Sequence, residues 1–278
     1  MTAAARMPVL VVTGGHRVDM AEFGAMFDAL GAREGWAWEH ATQPEAQALL
    51  RPEHLGRWRA IVLHDIAGLS LRRGHEPAVA VPDRATKAAL AALLDAGVGV
   101  VVTHHSLASW PAWDGWAHAI GGRFLYAPGT LDGVAWPSSG YRIGTHPVTV
   151  LAPDHPVCAG VDDFVADDEL YLCPVFEHEV VPLLGGPPAD RAAFRSTHEE
   201  VAQGRVVDCA GHPDVPSLLG WAKVAGASPL VYLQLGHGPA TFAHPRYRTL
   251  LANAIRWVSS EDARAWARAH PSPLDLGE

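Results

Sequence analysis

The sequence predicts an α/β protein built on a central, mostly parallel sheet, and three observations carry that reading. Short β-branched runs, Pro8–Thr13, Ala60–Ile66 and Val98–Thr103, suit strands buried on both faces. Amphipathic helical patterns separate them, with short connections. Each run stops in polar residues: Gly14-Gly15-His16, His64-Asp65 and His104-His105. In open parallel sheets ligands sit beyond the carboxyl ends of the strands, so these strand ends are where chemistry is to be sought.

Taken in order, the strand at Pro8–Thr13 runs through the two glycines into a helix opened by Asp19, with Glu22 three residues on as a capping-box-like partner. Met20, Phe23, Phe27 and Leu30 give that helix a buried stripe. Gly14 and Gly15 can let backbone N–H groups approach a ligand, or can simply make a tight turn. They fit neither G-x-G-x-x-G nor a P-loop, so no nucleotide site is inferred. Residues 36–42 form a second strand and 60–66 a third. Asp65, at the end of the third, can orient a histidine, bind a sugar hydroxyl or cap the next turn. Residues 69–81 read as a surface loop, and Pro82 to Ala96 as a helix stopped by Gly97.

The strand through Val100–Thr103 then delivers His104 and His105. A helix is expected to follow, with Trp110 and Trp113 on one face, either in the core or stacked on a sugar ring. Residues 121–140 show no period. Tyr141–Leu151 resumes as strand, and Phe164–Tyr171 carries the acidic run Asp167-Asp168-Glu169, in which Glu169 and Tyr171 are flanked by apolar groups. Segments 177–184 and 201–209 read as strand or loop edge. Residues 217–224 and 229–235 form a strand pair turning at Gly226, and the second ends in Gly236-His237-Gly238. Pro245–Ser259 is strongly amphipathic through Tyr247, Leu250, Leu251, Ala254, Ile255 and Val258. We expect one domain over 1–260 and a helix with a Pro-rich tail over 261–278.

Composition narrows the function. Net charge is −9, from 21 basic and 30 acidic residues, and no dense basic run occurs, which argues against nucleic-acid binding. The uncharged stretch 224–245 contains Pro229, Gln234, His237, Pro239 and His244, so no membrane segment is expected. Cys158, Cys173 and Cys209 make neither a disulfide framework nor a zinc finger. No targeting segment is read at the start of the chain, and the expected location is cytoplasmic.

Five motifs in chain order resemble the ThuA-like (trehalose utilisation) family: Gly99 through Trp113, Ile120-Gly121-Gly122-Arg123-Phe124, Asp168-Glu169-Leu170-Tyr171, Leu235-Gly236-His237-Gly238 and Leu251 through Trp257. The resemblance implies a class I glutamine amidotransferase-like, flavodoxin-type three-layer sandwich and a carbohydrate substrate. A glutamine amidotransferase carries its cysteine nucleophile at the turn after the strand that ends here at Thr103. This chain has His104 and His105 there, so glutaminase chemistry is not expected. Ser106 as a substitute nucleophile is disfavoured, because sequence neighbours seldom meet side chain to side chain.

The predicted site therefore comprises His104, His105, Asp65 and Glu169 as catalytic groups. Gly14, Gly15, His16, Trp110, Trp113, Tyr171 and His237 are assigned to substrate binding. Histidines with a carboxylate suit proton transfer near neutral pH, and converging histidines also suit a divalent metal. Two classes remain open at this point. One is an enzyme isomerising, eliminating or hydrolysing a sugar or keto-sugar. The other is a non-catalytic carbohydrate-binding accessory subunit. The partner expected in either case is a small carbohydrate, and homo-oligomerisation is left open.

Overall fold

The structure, a computed structural model, describes residues 6–277. In chain order its elements are β1 (Met7–Gly14), α1 (Met20–Glu34), β2 (Trp36–Thr42), β3 (Ala60–Asp65), the small hairpin β4 (Leu69–Ser70) and β5 (Ala78–Val79), α2 (Arg84–Asp95), β6 (Gly99–Thr103) and α3 (Asp114–Ile120). A second hairpin follows, β7 (Gly129–Leu131) and β8 (Val134–Trp136), then β9 (Gly140–Val150), β10 (Phe164–Leu172), β11 (Val181–Gly185), β12 (Arg195–Ser196) and α4 (Thr197–Val201). The chain closes with β13 (Leu218–Ala225), β14 (Ser228–Leu233), α5 (Pro239–Ala243), α6 (Pro245–Val258) and α7 (Glu261–Ala269).

Ten strands form one sheet in the order β10-β9-β11-β13-β14-β6-β3-β1-β2, with β12 beside β9. Strands β14, β6, β3, β1 and β2 are parallel neighbours, and β13, β11, β9 and β10 extend them antiparallel. The strands ending at Gly14, Asp65 and Thr103 thus pair as the periodicity predicts. Strand alternation divides the core into two layers. Val9, Val11, Val62 and Val101 pack with Phe23 and Phe27 of α1 and Leu251 and Ile255 of α6. Leu10, Val12, Ile61, Val100 and Val102 pack with Leu90 and Leu93 of α2 and Trp116 of α3. Helices on both faces of a twisted parallel core make the three-layer, flavodoxin-like sandwich.

Local signals explain most element ends. Asp19 caps α1 by accepting from the Glu22 amide at 3.3 Å, and Gly35 closes it in the left-handed region. Asp83 caps α2 by accepting from the Thr86 amide at 2.7 Å, directly after Pro82. Four expectations need correction. The 69–81 loop and the unpatterned 121–140 stretch each contain a short hairpin. Residues 202–209 form no strand beyond one bridge, Arg195 to Asp208. Trp110 and Trp113 do not share a helix: a single 3-10 turn spans His104–Ala108, and α3 begins only at Asp114.

Gly14 and Gly15 make the turn that ends β1. Both have positive φ, and a Cβ on Gly15 would lie 2.1 Å from the Ile66 carbonyl oxygen. Their role in the structure is close backbone approach at the carboxyl edge. Substituting Gly15→Ala is expected to destabilise the fold by about 2–4 kcal/mol, adding left-handed strain to a steric clash. Urea unfolding measures it, and a change below about 1 kcal/mol would contradict the reading.

Candidate active site at the carboxyl edge of the sheet

Residue His104 sits immediately after β6 with φ +52, a left-handed backbone for a non-glycine residue, and its side chain is 1% exposed. The turn places His104 and His105 side by side, ring centroids 4.0 Å apart. Gln234 follows the end of strand β14, and the chain then presents His237. Strand β10 reaches back over this edge: the Gly236 and His237 amides donate to the Asp168 carboxylate at 2.8 and 3.0 Å, and the Gln234 amide group donates to the Glu169 carbonyl at 3.2 Å. Alternation along β10 turns Asp168 towards Thr241 of α5, whose hydroxyl also donates to it at 2.7 Å, and turns Glu169 and Tyr171 to the other face.

The Glu169 Oε2 atom then lies 3.5 Å from His104 Nε2, 3.7 Å from His105 Nε2 and 3.4 Å from His237 Nδ1. All four donor atoms fall within 4.8 Å of one another. Glu169 is 4% exposed, and this oxygen has no hydrogen-bond partner among the described residues. The Nδ1 atoms of the histidine pair are engaged on the far side. That of His104 lies 3.0 Å from the Gln234 carbonyl, and that of His105 lies 3.0 Å from the Tyr171 hydroxyl. The Gln234 carbonyl can only accept, which assigns an Nδ1–H tautomer to His104 and turns its Nε2 lone pair towards Glu169, while the Tyr171 hydroxyl, 2.9 Å from His104 Nδ1 as well, orients the His105 ring so that its Nε2 faces the same oxygen. Burial, reinforced by neighbouring imidazoles, holds His104 and His105 well below the ordinary histidine range, so both are neutral. His237 is more exposed, and contact with the Glu169 carboxylate raises it.

His16 joins this group. Its ring centroid is 4.8 Å from that of His105, and its Nε2 lies 3.1 Å from the His64 carbonyl. His105, Glu169 and His237 form part of the lining of a cavity of about 430 Å3, together with Phe124, Tyr126 and Tyr141. That size suits a small-molecule site.

Other predicted residues are placed elsewhere. The Asp65 carboxylate accepts from the Ser106 hydroxyl at 3.1 Å and from Gln43 Nε2 at 2.8 Å, which accounts for both its oxygens away from the cluster. Alternation in β3 is the reason: Val62 shares a layer with Val101, so the next side chain on that face is His64, not Asp65. His64 Nδ1 bonds the Thr103 hydroxyl at 2.8 Å, and its ring stacks on His104 with centroids 6.0 Å apart. Trp113 is core, stacked on Trp116 and donating from Nε1 to the Asp275 carbonyl at 2.7 Å. Trp110 is 6% exposed and lines a different cavity of about 330 Å3 beside Gln43 and Leu90. The sequence reading passed over His64, Asp168 and Gln234, and over Tyr126 and Tyr141 on the cavity wall. The period-2 pattern of β3 would have selected His64. Asp168, Gln234 and Tyr141 lie in or beside strands and Tyr126 in irregular backbone, and what each meets is set by pairing between distant segments.

A flavodoxin-like sandwich with a histidine–carboxylate cluster at its strand ends is the class of protein these features define. Residues 8–258 match the ThuA family, described as trehalose utilisation, and the chain belongs to that family. Solved structures agree on the fold. A ThuA-like protein from Bacteroides uniformis is 20% identical, with 94% of this chain and 95% of that one covered and a TM-score of 0.63. Another from Parabacteroides merdae is 13% identical over 92% and 90%, with a TM-score of 0.65. A cytoplasmic protein from Salmonella typhimurium is 10% identical over 91% and 100%, with a TM-score of 0.52. No curated protein matches the chain. No helix among the described residues is long and apolar enough to cross a membrane.

Asp65 supplies a pH test. Burial pushes its carboxyl up to about 6, against the hydrogen bonds from Gln43 and Ser106 that pull it down. The folded state therefore holds this proton more tightly than the unfolded chain. The associated stability is complete below about pH 4 and is lost as pH rises through about 6. Urea unfolding of wild type and Asp65→Asn should show the wild-type advantage falling by about 3 kcal/mol between those limits. A pH-independent difference would refute the assignment.

Proposed function

We propose that the chain is an enzyme acting on a sugar or keto-sugar through histidine and carboxylate chemistry, with a divalent metal held by His104, His105, Glu169 and His237. One observation carries the metal: a buried carboxylate oxygen without a hydrogen-bond partner, ringed by three imidazole nitrogens at 3.4–3.7 Å. A buried carboxylate oxygen without a hydrogen bond is costly unless a cation lies close by, and two of the three imidazoles around it are kept neutral by burial. Donors bound to one tetrahedral ion at about 2.1 Å stand about 3.4 Å apart, which fits these separations. An imidazole-rich set with one carboxylate suits zinc, iron, nickel or copper better than magnesium or calcium.

Such an ion supplies Lewis acidity towards a carbonyl or hydroxyl oxygen and lowers the pKa of a bound water. The protein's own groups do the rest. Gln234 fixes the tautomer of His104, and Tyr171 orients the ring of His105. Asp168 holds the backbone that carries His237. His16 and His64 are neighbouring imidazoles outside the four donors; His16, whose pKa burial lowers, has both ring nitrogens beside backbone carbonyls, of Arg17 and His64, and its part is to pack against His105. No cysteine serves as nucleophile: Cys158, Cys173 and Cys209 are all buried, and burial pushes their thiols up to about 11 or 12. The sugar substrate and a cytoplasmic location are part of the same proposal, supported by the family and by these free thiols.

Metal analysis of the purified protein tests the reading. Near-stoichiometric divalent metal is expected in wild type. Glu169→Gln should weaken its retention by more than the roughly 10–100-fold typical of losing an outer-shell partner. Replacing His104 or His105 by Gln should lower turnover of a sugar or keto-sugar by on the order of a hundredfold, with stability altered by less than about 1.5 kcal/mol. Wild-type protein that takes up no divalent ion and turns over no sugar would favour the accessory carbohydrate-binding role instead, and variants with full turnover would remove the histidine pair from the chemistry.

A further inference from the structure

We infer that the cavity over the cluster is a subsite for an uncharged sugar ring, and that the Glu200 carboxylate, held by Tyr141, reads adjacent ring hydroxyls and bars phosphorylated or acidic sugars. The inference rests on the sugar-directed function proposed above and names its substrate class.

The cavity has two unlike sides. His105, Glu169 and His237 supply the reactive groups, while Glu200, Thr197 and Arg73 line it from α4 and from the β4–β5 connection. Between them Phe124, Tyr126 and Tyr141 supply apolar, aromatic surface of the kind that packs on the C–H face of a pyranose. The Tyr141 hydroxyl donates to Glu200 Oε2 at 2.6 Å. It stays a donor across the ordinary pH range, because burial and the adjacent Glu200 push its pKa up to about 12. That bond uses one of the roughly four lone-pair sites of a carboxylate, and the others remain for substrate hydroxyls.

Glu200 is also fixed in place. The short helix that carries it is fastened at both ends: the Thr197 hydroxyl donates to the Ser139 carbonyl at 2.8 Å, and the Gly74 amide donates to the Val201 carbonyl at 2.7 Å. A carboxylate anchored on a rigid element reads hydroxyl positions with little ordering cost. It also sets charge selectivity. On the wall away from the four donors Glu200 is the carboxylate, and Arg73, the arginine lining that side, is exposed. A phosphate or sugar carboxylate seated against Glu200 would meet like charge, whereas neutral hydroxyls donate to it.

Titration calorimetry with trehalose, glucose and glucose 6-phosphate tests this, with metal content measured on the same samples. Saturable binding of at least one uncharged sugar is expected, with glucose 6-phosphate at least tenfold weaker than glucose. Glu200→Ala should weaken the uncharged sugar by roughly ten- to hundredfold, the scale of hydrogen bonds to a charged group, while its metal content stays at the wild-type level. Glu200→Gln should narrow the gap between glucose and its phosphate. Tyr141→Phe, which leaves the carboxylate in place but untethered, should also weaken the sugar and keeps the test open if the alanine variant misfolds. Glucose 6-phosphate binding as tightly as glucose overturns the inference. So does the absence of saturable binding by either uncharged sugar, or an unchanged affinity in Glu200→Ala. Metal-free protein that still binds sugar through Glu200 would overturn the metal reading alone.

Discussion

A carboxylate oxygen buried without a hydrogen bond is unfavourable unless a positive charge is brought to it, and the carboxyl edge of this sheet is arranged around one such atom, Glu169 Oε2. Its neighbours are explained by the need to approach it. Asp168, one residue earlier on β10, points to the opposite face and gathers the Gly236 and His237 amides and the Thr241 hydroxyl. That ties the end of β14 to β10 and sets His237 beside Glu169. Gln234, the residue after β14, bonds in both directions, with its carbonyl facing His104 and its side-chain amide donating to the Glu169 backbone. The site is the junction of three strands far apart in sequence, so it exists only in the folded chain.

The antiparallel extension of the sheet is what gives a common fold its particular site. Parallel strands β6, β3 and β1 end in His104, His64 and the Gly14-Gly15 turn, and by themselves they provide an edge lined with imidazoles but no acid that reaches them. The acid of β3, Asp65, lies on the other layer and is satisfied by Gln43 and Ser106. The carboxylate is supplied by β10, which pairs with β9 in the extension and returns over the edge. Tyr141 of β9, in register with Tyr171 of β10, adds an aromatic wall by the same route.

This division also explains how much was legible in the sequence. The parallel half announces itself, because strands buried on both faces must be apolar and β-branched, and α6 shows its stripe from Tyr247 to Val258. His104, His105 and His237 could be named because they follow such strands. Glu169 and Tyr171 stood out only as an acid and an aromatic among apolar neighbours. Glu200 and Tyr126 carried no signal: the first lies in a five-residue helix and the second in an irregular segment, where position is set by tertiary contacts. The Trp110–Trp113 pair misled because helical spacing was read through a stretch that the backbone breaks, at Trp110 with φ +51.

Adjacent residues on a regular strand point to opposite faces, so a histidine pair that simply continued β6 would hold its two rings apart. The turn after β6 removes the premise. With His104 in the left-handed region and a 3-10 turn following, successive side chains no longer alternate, and the two rings come within 4.0 Å centroid to centroid with both Nε2 atoms facing Glu169. Left-handed backbone costs a non-glycine residue of the order of 1–2 kcal/mol. Here it is over-determined by full burial, by the Tyr232 hydroxyl donating to the His104 carbonyl at 3.1 Å, and by the His104–Gln234 bond. The turn therefore makes two consecutive imidazoles converge on one carboxylate oxygen, a convergence that a regular strand could not supply and on which the proposed metal site rests.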